Sequence, residues 1–437
     1  MQQKGEKQVI DTKMKLTQDE IDILKGSQGD TMRKVMETLV RYGDASGAEI
    51  FVPIEGPVHL VTSVGFVAHH PTVKLYKALA EKGVKTKLPF TVNPRPMDLE
   101  NIKSTDEEEK SFKMLYCYQE EFEEILKKLG IMDANYYSCT PYVDEVGNIP
   151  KRGANLAWAE SSAVAYANSV LGARTNRTSG YIDLFSGIIG KTPKFGLLTD
   201  EGRKANWVIE LRTETIPRPQ ILGSAIGKKV LDLVPYIKGL SKFLGTELND
   251  KTKDYLKNLG AAAASNGAVG LFHVENITPE AKDIGEKLIR DDAKTYVIDD
   301  AELARIVSSY PVLWKNPNAN PQIAFFGCPH LSFAELSELA ENIEKELKKQ
   351  GKSKISVRTI ALASRSVIDK FKKTDDYPRL MAAGVVLSSI CPCWYLSAPP
   401  LVGNEAVTNS NKLRTYSHAR YVDDADLIRA IVKGGLQ

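Results

Sequence analysis

The chain has no long apolar run. Nothing in it approaches the roughly 18 consecutive apolar residues of a membrane span, and its N-terminus lacks the apolar core of a secretory signal, so the expectation is a cytoplasmic protein. An excess of one charge is missing too: 58 Lys and Arg stand against 55 Asp and Glu, for a formal net charge of +3. That balance gives no support to nucleic-acid binding, and the Glu338 to Lys349 stretch, with both signs interleaved, reads as a solvated helical face. Cysteine is scarce, with five residues in 437. An odd, scattered set excludes a secreted disulfide scaffold, and the absence of C-x-x-C pairs argues against a zinc ribbon or a simple ferredoxin. The sequence also lacks a fixed-period repeat and a low-complexity linker, while 43% hydrophobic residues is ordinary globular usage.

What is there reads as a large α/β protein. A chain of 437 residues exceeds one typical domain, so two or three packed lobes are expected. Residues 1–13 are polar and Lys-rich and read as an extension, with the folded region 14–437 starting near Met14. There Thr17 and Glu20 form a capping box flanked by Leu16 and Ile21. A helix over Asp30 to Tyr42 is expected to end at Gly43 as a left-handed cap. Four short apolar runs read as strands: Ala134 to Ser138, Ala268 to Val274, Gln322 to Phe326 and Val385 to Ser389. After Phe326 a turn through Gly327 to His330 leads to Ser332-x-x-Glu335, which caps a helix carrying Leu336, Leu339, Ala340, Ile343 and Leu347 on one face. Repeated βα units of this kind predict mostly parallel sheets, with ligands beyond the carboxyl ends of the strands. The tract Ala261 to Ala264 reads as close helix packing.

Cys139, Cys328 and Cys391 share a context, since each follows a strand-like run and precedes a proline by one or two residues. Two readings stand side by side. All three are buried thiols, or they meet at one sheet edge around a metal centre; three protein thiolates on a cubane cluster leave one iron open to a substrate hydroxyl and carboxylate. Cys393 is placed to join or replace Cys391, whereas Cys117, in the charged helical stretch Asp106 to Lys128, reads as structural.

Beyond Cys139, in the CTPY of residues 139–142, comes WAESSAVAYANSVLGARTNR at 158–177, and this pair of motifs closely resembles the aconitase X family. LPFTVNPRPMD at 88–98, GLFHVENITPEA at 270–281, GCPH at 327–330 and TNSNK at 408–412 carry the same resemblance, which runs from the Leu16 region to the C-terminus. It implies an aconitase-like, multi-lobed α/β/α architecture with mostly parallel sheets and without a swivelling domain. It further implies an iron–sulfur cluster, 4Fe-4S or a degraded form of it, with Cys139, Cys328 and Cys391 as ligands. Because the chain stops soon after Lys412, the resemblance implies a large subunit whose partner is a small swivelling-domain subunit supplying part of the site. The implied reaction is dehydration of a small β-hydroxy-carboxylate, mevalonate 5-phosphate to its anhydro product first and cis-3-hydroxy-proline second. A non-catalytic metal-binding protein is the reading from another class. The chain departs from the family in two places. Ser389-Ile390-Cys391 replaces the usual Asp-Thr-Cys, and the Gly56 to His70 segment lacks the expected serine-tyrosine turn.

The candidate substrate residues follow from residue type and position. Arg174, Thr175, Asn176 and Arg177 make an oxyanion clamp after the helix Ser161 to Leu171, or else a surface salt-bridge pair. Glu160, Ser161 and Ser162 at that helix's start are candidate catalytic groups or simple caps. Asn93 and Arg95 sit in a turn stiffened by Pro89, Pro94 and Pro96. Thr408, Asn409, Ser410 and Lys412 supply donors and a cation suited to a carboxylate or phosphate. His330 beside Cys328, and His273 on an apolar run, are weighed against satisfied core histidines.

Overall fold

The structure, a computed structural model, describes residues 10–61, 65–133 and 136–436. Most of the polar extension 1–13, the end residue 437, the start of the Ala134 to Ser138 run and the middle of the Gly56 to His70 segment therefore lie outside the described residues.

The first lobe is mainly helical. Its helix Gly29–Ala45 buries Val35, Met36, Leu39 and Val40 against the helix Gly180–Ile189, as their helical spacing requires. Gly43 does not cap that helix: it lies inside it, where an added Cβ would run into Met14, and Ser46 is the capping residue. The glycine answers to close packing, a demand that local pattern does not distinguish from capping. Two short parallel strands, His59–Leu60 and Thr91–Val92, cross the lobe, and isolated bridges add Trp158 beside His59 and Tyr137 beside Val92. Among the described residues of the run to Ser138, pairing is the single bridge at Tyr137. The expected helix through Cys117 is two helices, Asp106–Leu115 and Gln119–Leu129, and Cys117 sits exposed in the break between them.

The second lobe carries a four-stranded parallel sheet in the order His273–Val274, Pro235–Lys238, Ala205–Leu211, Ile289–Ile298. Of the Ala268 to Val274 run only the last two residues pair as strand. Ala261 to Ala264 are fully buried in the helix Asp250–Asn266, which packs on Pro219–Val230. Gly223 makes that approach possible, because a Cβ there would clash with backbone of the facing helix.

In the third lobe a five-stranded parallel sheet runs in the order Val385–Ser388, Arg358–Leu362, Ile323–Phe326, Ala406–Thr408, Arg420–Tyr421. Helices Phe333–Gln350 and Asp424–Lys433 bury Leu336, Leu339, Ile343, Leu427 and Ile431 against it. Each such side chain contributes about 1.5 to 3 kcal/mol on leaving water. Ser332 and Glu335 form the expected capping box. The chain adds Arg358–Leu362 and Val385–Ser388 on one side of Ile323–Phe326, then returns to lay Ala406–Thr408 on the other. The strand order reverses between Ile323–Phe326 and Ala406–Thr408. Beyond the carboxyl ends of two such diverging strands opens the crevice where doubly wound sheets bind ligands.

Candidate active site

Cys328 and Lys412 flank that crevice, one after each of the two diverging strands. The turn at Gly327 has φ +90°, and a Cβ there would stand 2.9 Å from the Leu362 carbonyl oxygen, so glycine suits both the conformation and the space. Cys328 itself has φ +130°, a strained value for a non-glycine residue. Ser410 ties the two turns together, its hydroxyl donating to the Cys328 carbonyl while it caps the helix Asn411–Tyr416. Cys391 follows the outer strand Val385–Ser388, and its amide donates to the Arg95 carbonyl at 2.7 Å.

The first lobe supplies the opposite wall. Cys139 accepts the His330 amide at 3.2 Å, and Glu160 and Ser161 project from the start of the helix Ser161–Ser169. Together Cys139, Cys328, Cys391 and Cys393 face one cleft of about 410 Å³, which Asn93, Arg177, His330, Lys412 and Tyr416 also line.

Electrostatics sets the character of the cleft. Burial disfavours a charge on Glu160, yet the Lys412 ammonium beside it wins and holds the carboxyl below its ordinary range. The same pairing drives Lys412 well above its usual value despite burial. Lys412 donates to Glu160 and, at 3.0 Å, to the Ser162 hydroxyl. Burial pushes the Cys139 thiol up. The Cys391 thiol is drawn down by the neighbouring Cys393 thiol and by the Trp394 amide at the start of the short helix Pro392–Tyr395. Cys393 is pushed up by Cys328 and Cys391, which it touches on either side. Burial holds His330 and His59 neutral, each lowered to about 4. His330 donates from Nε2 to the Ile390 carbonyl at 3.2 Å and faces Ser138 with Nδ1.

Soft thiols converging from two lobes are the donor chemistry of an iron–sulfur cluster, so the residues present fit such a group. Among the described residues no three His, Cys, Asp or Glu side chains gather as the ligands of one metal ion would. A cluster makes a different demand, because each thiolate binds its own iron.

The remaining sequence candidates sit elsewhere. Arg174 pairs with Asp200 at 2.6 Å and stands 3.8 Å from Glu280, while the Thr175 amide and carbonyl bond the buried Asn168. Asn176 braces the Phe195 and Leu197 backbone. These three hold the fold, and of the four-residue segment only Arg177 faces the cleft. Arg95 makes a two-pronged pair with Glu123, both contacts 2.7 Å, and stacks on Tyr137. Thr408 accepts the Ser410 amide, and Asn409 points to the far side, bonding Gly327 and Asp424. His273 lies buried in the second lobe, its Nε2 bonded to the Arg203 carbonyl at 2.8 Å. A carboxylate does stand near the Ser389-Ile390-Cys391 departure: Asp98 accepts the Ser388 hydroxyl at 2.6 Å.

A parallel α/β scaffold with a thiol-lined crevice at its switch point defines the class, and comparison with known proteins makes it specific. Three family profiles match in succession, described as the first, second and third domains of aconitase X, over residues 13–201, 205–308 and 321–429. The chain belongs to the aconitase X family of dehydratases. The phosphomevalonate dehydratase large subunit of Thermococcus kodakarensis is 34% identical over 356 residues, 81% of this chain and 82% of that one. The protein of the same name from Methanocaldococcus jannaschii is 34% identical over 341 residues, covering 76% and 79%. The cis-3-hydroxy-L-proline dehydratase of Pseudomonas aeruginosa is 25% identical over 429 residues, 94% of this chain and 69% of its own length. The crystal structure of Thermococcus kodakaraensis aconitase X in its holo-form matches with a TM-score of 0.79 at 30% identity, covering 95% of this chain and 99% of that one. No helix among the described residues is long and apolar enough to cross a membrane.

Proposed function

We propose that the chain is the large subunit of an iron–sulfur hydro-lyase that dehydrates mevalonate 5-phosphate, with Cys139, Cys328 and Cys391 holding the cluster. The observation that carries this reading is the meeting of thiols from two lobes with a buried Lys412–Glu160 pair in one small cleft. The large-subunit names of the relatives at 34% identity favour the phosphorylated substrate and a small partner chain.

When bound, the cluster would supply a Lewis-acidic iron for the leaving hydroxyl. This chain's own groups bind and orient the substrate. Lys412 presents a permanent cation to a carboxylate or phosphate, and Arg177 at the cleft's exposed side adds paired donors for a second anionic group. Before substrate arrives, the ionised Glu160 holds the ammonium in place and Ser162 orients it further. The cleft opens to one side, where a swivelling partner would exclude water and supply the base that takes the proton α to the carboxylate.

The test is anaerobic reconstitution of the two-subunit complex, followed by incubation with mevalonate 5-phosphate and with cis-3-hydroxy-L-proline. Loss of one water from the first substrate, read by mass, is expected. Turnover of hydroxyproline alone would overturn the substrate, and iron content unchanged in Cys328→Ala would overturn the ligand set.

A further inference from the structure

His59 lies one layer behind the cleft, fully buried, in a hydrogen-bond chain whose proton positions follow from its ends. The Asn148 amide nitrogen donates to the Pro57 carbonyl at 3.4 Å and to the Thr91 hydroxyl at 2.9 Å. A carbonyl can only accept, so the Asn148 amide is oriented. Thr91 Oγ1 has a second lone pair, but among the described residues its one proton finds no acceptor other than His59 Nδ1, 2.8 Å away. With Nδ1 accepting that proton, the neutral imidazole carries its own on Nε2. That buried Nε2–H has no partner among the described residues, in a setting where an unmet donor is costly.

The strand register shows what it faces. His59 bridges Trp158 in parallel, its ring set edge-on to the indole, and its carbonyl accepts the Ala159 amide at 3.0 Å. Paired residues of a parallel bridge share a face, and two residues further along an extended chain the side chain returns to it. Glu160, whose backbone is extended, is that residue. The charges of Glu160 and Lys412 are the ones His59 feels.

We propose that His59 is a positioning residue for Glu160: its Nε2–H receives the carboxylate when an anionic substrate draws the Lys412 ammonium away. In the free protein the Glu160 carboxylate is held by Lys412, and His59 Nε2 has no partner among the described residues. On substrate binding the carboxylate trades one donor for another, so it stays ionised and out of the substrate's way. The role deepens the dehydratase reading and rests on it, but the hydrogen-bond chain does not.

The first test needs no substrate. In the full chain complexed with its partner and labelled with ¹⁵N-histidine, His59 should read as the neutral Nε2–H tautomer between pH 6 and 8. In Lys412→Met, where the ammonium is gone, its Nε2–H resonance should move downfield as Glu160 turns to it. An Nδ1–H tautomer, or no movement in Lys412→Met, overturns the proposal. Should Lys412→Met not fold, Lys412→Gln takes its place with the same two outcomes. The second test uses turnover. His59→Phe should lower kcat at least about tenfold with KM nearly unchanged; Gln, whose amide reaches the Nε2 position, should restore it, and Asn, which mimics Nδ1, should not. Equal behaviour of Gln and Asn overturns the role. A complex that dehydrates neither candidate substrate refutes the dehydratase reading, and the role with it, while the spectra still judge the tautomer and the turn of Glu160 by themselves.

Discussion

Lys412 and Glu160 illustrate how little a buried ion pair says by itself about stability. Burial penalises both charges, and their mutual attraction offsets the cost only while both are present. Lys412→Met is therefore expected to destabilise the protein by about 3 to 5 kcal/mol, because it leaves a carboxylate buried without its cation. Adding Glu160→Gln should recover most of that loss in a denaturation series while leaving the enzyme inactive. Recovery of turnover in the double variant would place both residues outside the chemistry. Asp183 poses the opposite case. It is fully buried, and among the described residues the Thr178 hydroxyl at 2.5 Å meets one oxygen and nothing meets the other, so burial raises its carboxyl from 3.8 to about 8. A folded-state value above the unfolded one means the native protein holds the proton more tightly. Its stabilising contribution is thus complete below about pH 4 and is lost as pH rises towards 8. Asp183→Asn should flatten the fall in melting temperature between pH 5 and 8. An unchanged slope would show that Asp183 is already ionised in the native state.

Elements decide where these residues stand, and the strand-end turn at Gly327 and Cys328 holds both residues at positive φ. Gly327→Ala would impose a side chain at φ +90° and against the Leu362 carbonyl, so a loss of about 1 to 3 kcal/mol is expected, together with weaker iron retention as Cys328 shifts. Iron content equal to wild type after desalting would mean that the turn tolerates the change. The same turns show what was legible in the sequence. The βα unit around Phe326, Ser332 and Glu335 was readable because strand, turn and capping box are all local patterns. The common context of Cys139, Cys328 and Cys391 left separate burial and a shared site both open, and only the fold shows that all three face one cleft. Arg174, Thr175 and Asn176 were not readable, since their partners Asp200, Glu280, Asn168 and Phe195 arrive from other elements. Arg95 likewise turns to Glu123 on the helix Gln119–Leu129. The contacts of Cys393 depend on the four-residue helix that points it between Cys328 and Cys391, which spacing alone leaves open. His59 stood in plain view as a histidine, but the orientation of Asn148 that fixes its proton is a tertiary fact.

Across the whole molecule, both halves of the cleft come from distant parts of the chain: Cys139 and Glu160 from the first lobe, Cys328, Cys391 and Lys412 from the third. A group bound by thiols of both lobes stabilises only the docked arrangement, so loading with iron and sulfide should raise the melting temperature as a tightly bound ligand does. Calorimetry before and after reconstitution would check this, and an unchanged transition would argue that the thiols of one lobe suffice. The second lobe meets the third through Lys257, which pairs with Asp254 on its own helix and reaches Glu335 in the capping box of Phe333–Gln350. One ion pair thus joins the helix start that follows the Cys328 turn to the middle lobe.

The reversal of strand order has a consequence during synthesis. Cys139 leaves the ribosome some two hundred and fifty residues ahead of Cys391, and the strand Ala406–Thr408, which leads to Lys412, is made after Ile323–Phe326, Arg358–Leu362 and Val385–Ser388. A cluster held by thiols of both lobes would therefore have to be assembled after Cys391 has been made, with the Cys139 thiol kept reduced until then.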